Sequence, residues 1–178
     1  MRKIIVNLTR FARPSTSGDR QPVALNRLLE EAVAIDREKL DKRHIDVDLD
    51  CAPGLLDVEG NQSDLLLAVL HLISNSMQAM PKGGKLSLMT RVVDHAAVKV
   101  VVRDTGVGIA PDRLSRIFEP FYSDHTAGPD RGGGGLGLSV AHRIVEEHQG
   151  RVTVTSRPGE GTTFTLFFPG RRRELHVR

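Results

Sequence analysis

Along the chain, apolar positions alternate between a helical period and a two-residue period, and the changes of period divide it into elements. MRKIIVNLTRFARP carries Ile4, Ile5, Leu8 and Phe11 at helical spacing and is stopped by Pro14. STSGDRQP, residues 15–22, is a polar stretch rich in turn formers and marks the expected domain boundary. Leu25, Leu28, Leu29, Ala32, Val33 and Leu40 then outline an amphipathic helix through about residue 42. HIDVDLDCA sets Ile45, Val47 and Leu49 against Asp46, Asp48 and Asp50, the alternation of a half-buried strand. A long helix, capped by Asn61 or Ser63, is predicted through Met80 and ends at Pro81-Lys82-Gly83-Gly84.

Two strands follow at 85–93 and 97–104, joined by a hairpin at Asp94-His95. Pro111 predicts a short helix at 111–118, and residues 119–134 form a polar loop containing Gly and Pro. A helix over about 137–148 ends at Gly150, and a hairpin turns around Pro158-Gly159-Glu160-Gly161. Without βαβ alternation, this order predicts an α+β domain in two layers, with helices on one face of a mixed, mostly antiparallel sheet.

Composition narrows the function classes. The 178 residues are 39% hydrophobic and 26% charged, which suits one soluble core with a small appendage. The +3 charge owes much to the tail after Pro169, where Arg171, Arg172, Arg173 and Arg178 cluster. Trp is absent and Tyr occurs once, so the aromatic platforms of a nucleic-acid binder are missing and no nucleic-acid partner is expected. A lone Cys51 and no recognisable leader lead us to expect a reducing, cytoplasmic setting. No apolar run approaches the roughly 20 residues of a membrane span.

Three stretches carry chemistry. On the helix ending at Met80, Asp64, His71, Asn75 and Gln78 fall within an arc of roughly 60° at 100° per residue, with apolar side chains opposite. A solvated face usually shows Lys and Glu; neutral amides and an imidazole suit a hard cation or phosphate oxygens. VVVRDTGVGIAP then ends an apolar strand in Asp104, with Gly106 and Gly108 bringing backbone amides close. A carboxylate beside such amides can accept from an exocyclic amine while they serve ring nitrogens, which suits adenine. In RGGGGLGLSV, Leu138 stands where a P-loop needs Lys, and no strand precedes the glycines as a dinucleotide fingerprint requires. What remains is a loop ending in backbone amides at a helix start, a ready anion site.

In this order and spacing, the stretches resemble the ATP-binding domain of sensor histidine kinases, within the gyrase, heat-shock chaperone, histidine kinase and mismatch-repair ATPase superfamily. HLISNSMQAM looks like the N box, DTGVGI the first glycine box, IFEPFYSDH the F box and GGGLGLSVAHRIVEEHQG the second glycine box, with GEGTTFTLFFP as the closing hairpin. The resemblance covers about residues 22–169. FEPF and QAMP-x-GG look most like kinases of the nitrogen-sensing type.

The resemblance implies a Bergerat-type α/β sandwich with three helices on one face of the sheet, and it implies roles for residues. Asn75 matches the asparagine that holds Mg²⁺ against ATP phosphates, with His71 one turn before it and Gln78 on the same face. Asp104 matches the aspartate that receives the adenine amino group, with Gly106, Gly108 and Ile109 in the turn beneath the base. Gly135, Leu136, Gly137 and Leu138 match the phosphate-wrapping segment, and Gly133, in the lid hinge just before it, is counted with the nucleotide-binding residues. Residues 122–134 match the ATP lid, which begins at Tyr122 and is anchored by Phe118 and Phe121. His71 replaces a frequent second asparagine, His125 a frequent lid Lys, and Gly134 a frequent Thr.

The implied partners are a histidine-bearing dimerisation domain of the same kinase, whose tail residues 1–14 resemble, and the receiver domain of a response regulator. A homodimer is implied for the whole kinase. None of the seven histidines precedes an acidic residue as a phosphoacceptor does; His71 and His142 fall in the ATP domain and the others read as surface histidines. The alternatives are a nucleotide-binding pseudokinase and an anti-sigma-type serine kinase of the same fold.

Overall fold

The computed structural model describes residues 20–94, 96–122 and 135–170, and the side chain of Asp94 is outside that description. The expected N-terminal helix, most of the linker, His95, the loop from 123 to 134 and the tail from 171 therefore lie outside the described residues.

Strands β1 (Gln21–Val23), β2 (Ile45–Cys51), β3 (Val58–Gly60), β4 (Gly84–Asp94), β5 (Ala97–Asp104), β6 (Arg151–Arg157) and β7 (Gly161–Pro169) are interleaved with helices α1 (Leu25–Lys42), α2 (Gln62–Ala79) and α3 (Gly137–Glu147). The main sheet runs β2-β4-β5-β7-β6. It is antiparallel except for β2 and β4, which pair in parallel from Ile45 opposite Gly84 to Cys51 opposite Thr90. The two-layer α+β expectation holds.

Alternation decides which face of the sheet is covered. Leu86, Leu88, Val98, Val100, Val102, Phe164, Leu166 and Phe168 are buried, whereas the residues between them are exposed or half-buried. The helices supply the other half of this core. In α1, Leu25, Leu28, Leu29, Ala32 and Leu40 are buried at helical spacing, and in α2 Leu65, Ala68, Val69, Leu72, Ile73 and Met77. Of the two possible caps for α2, Asn61 is the one used: its side chain accepts from the Asp64 N–H at 3.1 Å.

The structure departs from the sequence reading in three places. Strands β1 and β3, unforeseen, pair as a small separate sheet, so Gln21 and Pro22 at the end of the expected linker are strand residues. Residues 111–118 form successive turns rather than a helix: Arg113 bonds back to Ala110, Arg116 to Arg113 and Glu119 to Arg116, all over three residues. Pro111 opens this segment as it would a helix, but the four-residue bonds that propagate one do not follow.

The third departure is His148, expected at the surface but only 3% exposed. Its Nε2 accepts from the Asn61 backbone N–H at 3.0 Å, which puts the ring proton on Nδ1, 2.7 Å from the Ile144 carbonyl it donates to. The ring also lies so close to Gly60 that a Cβ there would sit 2.3 Å from its Cδ2. The end of α3 is thereby tied to the start of α2. Arg20 adds a bond to the Glu147 carbonyl at the same end of α3.

Three substitutions should separate capping from packing by urea denaturation. Asn61→Ala is expected to cost about 1 kcal/mol, and Asn61→Gly only a few tenths, through the lost cap. Leu72→Ala, at a fully enclosed position, should cost about 2–5 kcal/mol.

Candidate nucleotide site

The described candidate residues gather where the C-terminal half of α2, the end of β5 and the first turn of α3 meet. Asp104, the last residue of β5, is buried. Its Oδ1 accepts the N–H groups of Gly106 at 2.9 Å and Thr162 at 3.2 Å, and its Oδ2 accepts the Ser76 hydroxyl of α2 at 3.2 Å. Burial pushes this carboxyl above the usual carboxylate range, and these three donors oppose the rise.

The turn after Asp104 is tight for steric reasons. A Cβ on Gly106 would come within 2.7 Å of the Ala79 side chain and carbonyl, and Val107 donates to that carbonyl at 2.9 Å. Gly108 has φ +71, and a Cβ there would sit 2.0 Å from the Arg157 carbonyl oxygen. The Ile109 N–H donates to Ser156 Oγ at 2.8 Å, which joins the turn to β6. The turn is therefore clamped between the end of α2 and the β6–β7 hairpin.

At the other end, α3 begins after Leu136 with no side chain capping it, which leaves first-turn N–H groups able to meet an anion. Gly137 opens this turn against α2: a Cβ there would lie 3.2 Å from His71 Nδ1. His71 is half-buried, and burial lowers its pKa from 6.5, so the ring is neutral at neutral pH. Asn75 and Gln78 are half-buried on the same face of α2. Ser76 and His71 are five residues apart, about 7.5 Å along the helix axis. Helix α2 thus connects the Asp104 end of the site with the α3 end.

Gly135 has φ +67, and its carbonyl accepts the Phe121 N–H at 3.1 Å. Leu136 and Leu138 are half-buried, with Leu138 packed against the core. Phe118 lies 4.7 Å from the His142 ring and edge-on to Phe164. Phe121 is 73% exposed and its φ is +66, and the loop it is expected to anchor lies outside the described residues. Tyr122 is half-buried, with the Arg116 guanidinium 4.6 Å from its ring centre. Gly133 lies outside the described residues, as does His125.

Sequence reasoning missed Ser76 and Thr162, both bonded to Asp104. Thr162 contributes a backbone N–H, which no side-chain pattern announces. Ser76 could have been noticed as the lone hydroxyl on the apolar side of α2. Among the described residues, no group of three His, Cys, Asp or Glu stands together as a metal cage. The donor set on α2 is the amide oxygen of Asn75, on the same helix as the His71 that packs against the uncapped start of α3, and this suits Mg²⁺, which uses few protein ligands and relies on substrate phosphates. No described helix is long and apolar enough to cross a membrane.

Comparison with known proteins gives the family and the fold. The profile of the family described as histidine kinase-, DNA gyrase B-, and HSP90-like ATPase matches residues 60–172. The sensor-like histidine kinase SenX3 of Mycobacterium tuberculosis is 32% identical over 97% of this chain and 42% of its own length. The sensor histidine kinase RppB of Synechocystis is 35% identical over 91% of this chain and 36% of its own. The chain thus spans less than half the length of these curated relatives. The solved mycobacterial sensor histidine kinase MprB superposes with a TM-score of 0.75 at 25% identity, over 86% of this chain and 99% of that structure. From the family match across most of its length, together with the sandwich fold, the chain belongs to the histidine kinase-, DNA gyrase B- and HSP90-like ATPase family.

Proposed function

We propose that this chain is the catalytic ATP-binding part of a sensor histidine kinase, binding Mg·ATP and presenting its γ-phosphate to a histidine on a dimerisation domain. The observation that carries this is the joining, along one helix, of a buried acceptor at Asp104 and an open helix start facing His71. The kinase-specific part draws support from the sensor kinases to which the chain is similar. Residues 1–14 are assigned to the tail of the dimerisation domain, 15–22 to the linker, 23–169 to the catalytic domain and 170–178 to a basic tail. The wider proposal includes a homodimeric kinase, a response-regulator receiver as its phosphate acceptor and a cytoplasmic location. The FEPF and QAMP-x-GG motifs support a kinship with nitrogen-sensing kinases.

In this reading Asp104 accepts from the adenine amino group, and the turn through Gly106, Gly108 and Ile109 lies beneath the base. Asn75 would hold Mg²⁺, which when bound neutralises phosphate charge. Gln78 and neutral His71 hydrogen-bond the nucleotide, and amides from Gly135 to Leu138 meet the phosphates. Gly133 is assigned to the lid hinge before that segment, as a further nucleotide-binding residue. Phe118 and Tyr122 hold the base of the lid. Phosphoryl transfer depends chiefly on positioning and charge neutralisation, so this half needs the histidine-bearing half to turn over.

Titration calorimetry with ATP and Mg²⁺ is expected to show at least about tenfold weaker binding for both Asn75→Ala and Asp104→Ala. With the metal chelated, the Asn75→Ala deficit should shrink while the Asp104→Ala deficit persists. Unchanged affinity in both variants would rule out the site. When the chain is mixed with a matching histidine-bearing helical domain and γ-labelled ATP, acid-labile phosphate on that histidine is expected. Acid-stable label would point to a serine kinase, and no label despite ATP binding to a pseudokinase.

His71 also gives a pH signature. Its folded pKa is below 6.5, so the unfolded chain binds the proton more readily as pH falls through that value. Its contribution to stability is complete above about pH 6.5 and is lost progressively below it. Denaturant midpoints should therefore fall less between neutral and mildly acid pH in His71→Asn than in the parent chain.

A further inference from the structure

Ser76 follows Asn75 directly but faces the buried side of α2, where it is fully enclosed. A hydroxyl so placed must find a protein partner, and this one donates to Asp104 Oδ2. Oδ1 already takes two backbone N–H groups, so the orientation of the carboxylate is fixed and Oδ2 is the oxygen with capacity left for a ligand. The groups around Asp104 are uncharged. Ser76 comes from α2, Thr162 from β7 and Gly106 from the following turn, while β4 places Leu86 opposite. The neighbouring charges Lys85 and Arg103 alternate onto the open face, where Lys85 pairs with Asp48. On α2, the titratable His71 lies more than a turn away, against Gly137.

We propose that Ser76 determines base specificity: by donating to Oδ2 it keeps Asp104 a pure hydrogen-bond acceptor, so that the site takes a 6-aminopurine and rejects a 6-oxopurine. The inference rests on the nucleotide reading above. A carboxylate accepts from an exocyclic amine, whereas a 6-oxo group sets acceptor against acceptor. A protonated Asp104 reverses this, because its O–H can donate to the 6-oxo oxygen. Burial already drives Asp104 toward that neutral form, and Ser76 is one of three donors holding it ionised. Loss of the Ser76 hydroxyl therefore moves protonation to higher pH and relaxes the choice of base. Ser76 acts through Asp104 and is a positioning residue.

The test is calorimetric titration of the whole chain with Mg²⁺ and either ATP or inosine triphosphate, from about pH 5.5 to pH 8. The parent chain should prefer ATP throughout. Ser76→Ala should lose about tenfold in ATP affinity at the acid end and less at the alkaline end, so its ATP preference shrinks as pH falls. Ser76→Cys, with a weaker donor, should fall between the two.

Asp104→Asn supplies the control, because its amide does not titrate and directs an N–H₂ where Oδ2 stood. It should favour inosine triphosphate at every pH, and adding Ser76→Ala to it should change the ratio no further. Parallel pH profiles for the parent and Ser76→Ala, or a Ser76 effect undiminished in the Asp104→Asn background, would overturn the specificity role. A base preference unmoved by Asp104→Asn would instead overturn the nucleotide reading, and this inference with it.

Discussion

The buried carboxylate of Asp104 is the constraint around which the rest of the site is arranged. A charge removed from water needs compensating donors, and here they come from three separate parts of the chain: the α2 hydroxyl of Ser76, the turn N–H of Gly106 and the β7 N–H of Thr162. These bonds set the depth of α2 against the sheet, the conformation of the turn and the start of the closing hairpin. Gly161 follows from the same arrangement, since a Cβ there would come within 2.0 Å of the Asp104 carbonyl oxygen. Polar satisfaction and close packing therefore select the same local geometry.

The second organising element is α2, which is apolar where it meets the sheet and polar on one narrow arc. Its buried side chains anchor it over the core, and that anchoring fixes where His71, Asn75 and Gln78 point. The start of α3 packs against His71, and the end of α3 returns to the α2 cap through His148. The uncapped start of α3 is thus positioned by contacts at both ends of that helix. Family membership explains why such a frame exists, while the hydrogen bonds explain how this sequence holds it.

Much of this was legible in the sequence because the signals were periodic. Helix α1 and the β4–β5 hairpin each repeat their pattern several times, so period alone identifies them. Strands β1 and β3 have three residues each, too few to show a period, and exist only because they pair with each other. His148 reads as a surface residue until the fold brings Asn61 to it. Within the site, Asn75 and Asp104 stood out as polar groups interrupting apolar runs. Ser76 did not, because a small hydroxyl on an apolar helix face is ambiguous until its partner is known, and that partner is 28 residues away.

The parallel pairing of β2 with β4 bears on the order of assembly. Ile45 meets Gly84 only after the chain between them has passed through β3 and the whole of α2, whereas β4 and β5 are separated by only two residues in sequence. Closing the longer loop costs more chain entropy before any ladder bond compensates for it. The β4–β5 hairpin is therefore the cheaper nucleus, and the acidic edge strand β2 is added to a template that already exists. The helix carrying Asn75 and Gln78 is itself the crossover between the two parallel strands, so completing this sheet edge and seating that helix over the sheet are geometrically linked.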